Sequence, residues 1–179
     1  MIPEEDVVYL SVDDVLCLYY GLVKKYKSTP DPIEPVGVQS GSLLEMVINR
    51  PKAGAGRKRF FKSMPYKGAA LAHGIARFHP FCNGNKRTAH AAAEMFFELN
   101  GFCLVMDNEE IAPYLLKIVD HEWELPDVTN FYAAHLITAK EFQEREYDKI
   151  KWINETTPEG VHNKKRRKIF KTPPPKKRR

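Results

Sequence analysis

The sequence predicts an all-α domain, a small helical bundle. Three observations carry this expectation. Apolar residues recur at helical spacing, as in Val12, Val15, Leu16, Leu18, Tyr19 and Leu22. Two helix-start signatures, Ser11 with Asp14 and Asp107 with Glu110, stand where such runs begin. β-rich stretches are few and short, confined to VVYL (7–10) and FCLVM (102–106). Amphipathic helices joined by short loops bury their apolar faces against one another. With 43% hydrophobic residues in 179, the chain is long enough for one core.

The elements follow in order. The first helix starts after Ser11 and fades near Lys24–Tyr26. Pro30, Pro32 and Pro35 make the next stretch a loop. Gly41-Ser42 opens a short helix, Leu43 to Ile48, stopped before Pro51. Residues 51–65, PKAGAGRKRFFKSMP, read as a loop rich in Gly, Lys and Arg. A helix from Tyr66 to Phe78 follows, and its Ala69, Ala70, Ala72 and Ala76 permit close helix contact. The next runs from about Asn85 to Asn100, with Gly101 as its natural stop. Asp107 caps a further helix whose exact start is left open by Pro113. A last long helix is expected from about Asp127 to Ile150. Residues 1–150 thus read as the helical domain, and 151–179 as a basic, proline-containing tail.

Charge is unevenly spread. The formal net charge is +5, but residues 163–179 hold ten Lys or Arg and no acid, which leaves residues 1–162 at −5. Three consecutive prolines and strong self-repulsion predict a disordered tail. It reads as a solubilising appendage, a contact for nucleic acid or another polyanion, or a nuclear import signal. No apolar run approaches membrane-spanning length, and the N-terminus lacks the pattern of a secretory signal. Cys17, Cys82 and Cys103 have no CxxC spacing and read as reduced, small hydrophobic fillers. A reducing, cytoplasmic setting is the expectation.

The stretch HPFCNGNKRTAH (79–90) concentrates polar groups directly before a strong helix. Pro80 fixes the backbone there, and Gly84 permits a tight turn. The first turn of the following helix, Gly84 to Arg87, offers unpaired N–H groups, a ready anion site. Lys86 and Arg87 place cations at the positive end of the helix dipole, which is unfavourable unless an anion, such as a phosphate, reverses the sign. His79 stands at the rim and can accept a proton from a hydroxyl. Phe81 is expected to point into the core and hold the loop. Read from chemistry alone, the stretch is an anion site, a base catalyst, or an ordinary Asn-Gly turn with a structural histidine.

The ordered pattern His79-Pro80-Phe81-x-x-Gly84-Asn85-x-Arg87 resembles the active-site motif of the Fic/Doc superfamily. GNKRTAHAAAEMFFELNGF (84–102) is most similar to the death-on-curing (Doc) branch, as are AALAHGIARFHPF (69–81) and YLSVDDVLCLY (9–19). The resemblance covers about residues 7–136. It implies a compact helical bundle with a short flap before the active-site helices. It implies transfer of part of ATP to a hydroxyl side chain of a target protein: the γ-phosphate in the Doc manner, with the translation machinery as a possible target, or AMP as in most Fic members. His79 would be the general base. Gly84, Asn85, Lys86 and Arg87 would bind the phosphates, with Lys86 and Arg87 also offsetting charge during transfer. Arg59, Phe60, Phe61 and Lys62 would lie in the flap that aligns the target segment as an added strand. The basic residues Arg57, Lys58, Arg59 and Lys62 suit a negatively charged partner or a solvated loop equally.

Two departures from the family pattern matter. Asn83 stands where a carboxylate usually helps hold Mg²⁺, so metal affinity at that position should be weak. His90 stands where AMP-transferring members carry a further Arg, which favours the kinase-type reaction. No Ser/Thr-x-x-x-Glu-Gly/Asn inhibitory pattern occurs in the chain. A toxin of this kind would therefore take its inhibitor, an antitoxin-like protein, as a separate chain. Asn83 also leaves a third reading open, a catalytically degenerate binding module.

Overall fold

Ser11 and Asp14 close the reciprocal cap that the sequence signals. The Asp14 amide donates to Ser11 Oγ at 3.2 Å, and Ser11 donates its amide to Asp14 Oδ2 at 2.8 Å. From there the computed structural model, which describes residues 2–55 and 58–156, runs α1 (Val12–Tyr26) and α2 (Gly41–Asn49). A two-stranded hairpin follows, β1 (Gly54–Ala55) with β2 (Lys58–Arg59). Then come α3 (Met64–Phe78), α4 (Asn85–Leu99), β3 (Phe102–Leu104), α5 (Asn108–Val119) and α6 (Leu125–His135). The last elements are β4 (Leu136–Thr138) and α7 (Ala139–Thr156). The chain divides after Ala139 into two units. The first is a compact, mostly helical bundle. The second holds α7 from Lys140 on, where Lys140 pairs with Glu144 one turn on at 3.7 Å. Of the residues read as a basic tail, 151–156 instead continue α7 as helix, and 157–179 lie outside the described residues, as does Arg57.

Helix α3 is the centre of the bundle, lying against α2, α4, α5 and α6. Small residues let it do so. Ala69, Ala70, Ala72 and Ala76 are fully buried, and so are Ala89, Ala92 and Ala93 on α4. Gly68 is the tightest point: a Cβ there would lie 2.1 Å from Phe97 Cζ. The close approach brings the C-terminal end of α3 and the N-terminal end of α4 together, with only residues 79–84 between them.

Two expectations need correction, the last helix and the cysteines. The long helix from Asp127 to Ile150 is broken at 136–138, because β3 supplies a partner. Phe102, Cys103 and Leu104 pair with Thr138, Ile137 and Leu136, and Val105 N–H to His135 O (2.8 Å) with Ala139 N–H to Gly101 O (2.9 Å) bracket the ladder. Tertiary pairing overrides helix propensity here. The VVYL segment is extended but in no sheet. Its Val8 amide and carbonyl bond instead to the Asn100 side chain, at 2.9 and 2.8 Å. Cys17 and Cys82 are exposed rather than core fillers, and all three cysteines are free thiols. Pro113 sits inside α5, which starts at Asn108. No described helix is long and apolar enough to cross a membrane.

Candidate active site

The polar stretch folds into a loop that is fixed from every side. Phe81 is fully buried and stacks on Tyr19, ring centroids 4.2 Å apart. Tyr19 Oη in turn accepts the Gly37 amide at 2.9 Å. The loop is sewn to the segment before α2: the Gln39 and Ser40 amides donate to Pro80 O, and the Cys82 amide donates to Gly37 O. Asn85 completes the fixation. Its Oδ1 accepts the Phe81 amide at 2.9 Å, and its Nδ2 donates to Phe81 O at 2.8 Å.

This scaffold sets up an anion-binding turn. Gly84 caps α4 at φ 81°, a left-handed conformation that favours glycine. A side chain there would also press on Ile33, with its Cβ 2.9 Å from Ile33 Cγ2. The Gly84 amide is taken by Asn83 Oδ1 at 2.6 Å. The amides of Asn85, Lys86 and Arg87 find no acceptor among the described residues. Three N–H groups of a helix start thus face outward, with the helix dipole behind them.

His79 ends α3 in a left-handed conformation, φ 49° and ψ 59°. For a residue with a Cβ this costs on the order of 1–3 kcal/mol and is tolerated only where the surroundings dictate it. The exposed imidazole has no hydrogen-bond partner among the described residues and borders the same cleft as Gly84, Lys86 and Arg87, about 440 Å³ in volume. Nothing in the sequence signalled the backbone strain.

The two cations differ in their engagement. Lys86 is exposed and has no ion-pair partner among the described residues. Arg87 is held: Nη1 donates to the Asp31 carbonyl at 3.0 Å, Nη2 pairs with the Asp31 carboxylate, and the guanidinium lies 4.2 Å from the Tyr26 ring centroid. Asp31 and Tyr26 were missed by the sequence reading, because their link to Arg87 crosses 56 residues or more. Asn85 offers the cleft its amide rather than its side chain, both of whose polar atoms are paired with Phe81.

Asn83 does not fit a Mg²⁺ ligand in this arrangement. It brings no charge, its Oδ1 already accepts the Gly84 amide, and its Nδ2 donates to Glu34 O at 2.6 Å. Hard cations take anionic or free oxygens. The anion turn does fit phosphate.

On the far side of Lys86 and Arg87 lies a second cleft of about 640 Å³ between α1, α4 and α5, lined by Tyr26, His90, Glu94, Ile111 and Leu115. His90 Nδ1 meets Tyr114 Oη at 2.9 Å, and burial pushes the His90 pKa down to about 4. It is therefore neutral at pH 7 and adds no third cation.

The four flap residues do not line the 440 Å³ cleft. Phe60 is 55% exposed, and Lys62 is also exposed. Phe61 is buried edge-on against Tyr66 at 5.0 Å, so it anchors the flap. Arg59 bonds to Lys52 O at 2.9 Å and to Glu4 at 3.2 Å. Glu4 in turn meets the buried Lys67 at 2.9 Å, which ties the N-terminal turn to both the flap and α3.

Comparison with known proteins meets this geometry. A family model described as Fic/DOC family matches residues 9–97, a span that includes α1, the flap and the whole anion turn. Over 70 residues the chain is 39% identical to "Toxin Doc" of Mycolicibacterium smegmatis (strain ATCC 700084 / mc(2)155), an overlap of 39% of this chain and 54% of that protein. The chain thus spans about half the length of the curated relative it matches.

Proposed function

We propose that this chain, whose residues 9–97 match the Fic/DOC family model, is a phosphotransferase that moves the γ-phosphoryl group of ATP to a hydroxyl side chain of a target protein. The observation that carries the reading is the turn itself: three unpaired amides at Asn85–Arg87, flanked by Lys86 and Arg87 and bordered by His79. The ATP phosphates lie on those amides. His79 takes the proton of the target hydroxyl as its oxygen bonds to the γ-phosphorus. The bond from that phosphorus to the β–γ bridging oxygen breaks, and ADP leaves with the electron pair. Lys86 and Arg87 offset charge on the transferred group, worth most where the donors are already fixed. The hydrogen bonds of Asn85 and the Pro80 carbonyl supply that fixation. Mg²⁺ would enter on the triphosphate rather than on Asn83.

Phosphoryl transfer is favoured over AMP transfer by His90, which is neutral and tied to Tyr114 where a further arginine would stand. A non-catalytic binding module is favoured only by Asn83. As in its Doc-like relative's printed name, a toxin role fits such chemistry, with a separate antitoxin-like chain as its restraint. Incubation with cell lysate and ATP labelled at the γ- or the α-phosphate separates the readings. Protein label from the γ position alone means phosphoryl transfer. Label from the α position means AMP transfer, and none from either means a binding module.

A further inference from the structure

We infer that Asp31 is a built-in competitor for phosphate at Arg87, so that the protein's own carboxylate sets how readily, and by which anions, the turn is filled. The inference rests on the phosphate reading above. Arg87 is the one cation of the turn already neutralised: its Nη2 pairs with the Asp31 carboxylate. A guanidinium fork binds carboxylate and phosphate oxygens in the same way, so an incoming phosphate that uses Nη2 must displace that carboxylate.

The two partners are unequally held, and this makes exchange possible. The Asp31 side chain is 83% exposed, whereas that of Arg87 is 27% exposed. Arg87 has two further supports that phosphate does not contest: the Asp31 backbone carbonyl on Nη1 and the Tyr26 ring 4.2 Å away. When the carboxylate swings out, Arg87 stays aimed. Asp31 and Arg87 also border both clefts, so the exchange takes place where the two meet.

The competition has a consequence for selectivity. A monovalent anion gains little by exchanging one carboxylate for another anionic oxygen. A polyphosphate reaches Lys86 and the three free amides as well, and those contacts drive the displacement. Asp31 therefore biases the turn toward di- and triphosphates over simple anions.

Calorimetric titration of inorganic pyrophosphate and of ATP tests this at fixed ionic strength, on the full chain. The variants are Asp31→Asn, Arg87→Ala and the double substitution, each shown folded by its melting curve. Asp31→Asn is close to isosteric and should tighten pyrophosphate binding about two- to five-fold, the span that an exposed ion pair supports. That gain should vanish on the Arg87→Ala background. Wild-type binding with an equal or weaker Asp31→Asn variant overturns the competitor role and leaves the phosphate reading standing. A gain that persists without Arg87 also overturns it, because the effect is then bulk charge. Failure of every variant to bind either probe overturns the phosphate reading and this inference together.

Discussion

Asn85 returns both polar ends of its side chain to the backbone of one residue, Phe81, at 2.9 and 2.8 Å. The side chain at the start of α4 thereby fixes the loop that delivers His79. Replacing Asn85 with Ala leaves the Phe81 amide and carbonyl buried without those partners. The expected loss is about 1–3 kcal/mol per orphaned group, read as a lower Tm. Pyrophosphate affinity measured well below that Tm should fall too, because the turn is no longer set. An unchanged Tm would show that the clamp contributes nothing.

Gly68 tests the packing that brings α3 onto α4. Alanine is the better helix former by about 1 kcal/mol, yet Gly68→Ala puts a carbon 2.1 Å from Phe97 Cζ. Overpacking of this kind costs about 1–3 kcal/mol. Urea denaturation should show Gly68→Ala less stable than wild type, with Phe97→Leu in the same chain restoring part of the loss. A more stable Gly68→Ala would mean that the helices are not in that contact.

One buried and one largely buried histidine give stability a defined pH dependence. His73 and His90 are each held down to about 4. For His73 the causes are burial first, then the Arg50 charge, with Glu124 opposing; for His90 the cause is burial. Between about pH 6.5, the ordinary value, and pH 4 the unfolded chain binds protons that the native chain does not. Stability is therefore unimpaired above that window and falls as pH drops through it, by up to about 3 kcal/mol per histidine. Melting curves from pH 7 to 4 should show the decline, and His73→Leu should flatten it. Equal slopes in the two proteins would contradict the buried neutral state.

Position 83 is the departure from the family pattern with the clearest chemical cost. Asn83→Asp keeps an acceptor for the Gly84 amide but loses the donor to Glu34 O. A small drop in Tm, equivalent to about 1 kcal/mol, is expected from the lost hydrogen bond. The added carboxylate should strengthen Mg²⁺ binding at the nucleotide and raise transfer most at low Mg²⁺. A Mg²⁺ titration at fixed ATP compares the two proteins, and superimposed curves would mean that position 83 has no part in metal binding.

What the sequence conveyed, and what it hid, divides by range. Local signals held: the Ser11–Asp14 and Asp107–Glu110 caps, the Gly84 turn and the inward Phe81 were all legible, because each is decided within a few residues. The break at 136–138 was not, since the helical pattern there yields to a strand more than thirty residues away. Nor was the Asp31–Arg87 pair, which joins a proline-rich loop to a helix start. Lys67 was not singled out in the sequence, yet it is 2% exposed, and its charge is met by Glu4 from the N-terminal turn. Asn85 was expected among the phosphate-binding residues, but both polar atoms of its side chain are held by the Phe81 backbone, which leaves only its amide for that task.

In the proposed reaction His79, beside a turn filled by ATP, removes a proton from a target hydroxyl during γ-phosphoryl transfer. Its most direct measurement is γ-label transfer to lysate protein by wild type and His79→Ala, each saturated with ATP, alongside their ATP affinities. A base acts in the transition state, so turnover should fall by roughly 100-fold or more while affinity changes little. Near-normal turnover by His79→Ala, or no γ-label transfer by the wild-type protein, would contradict the account.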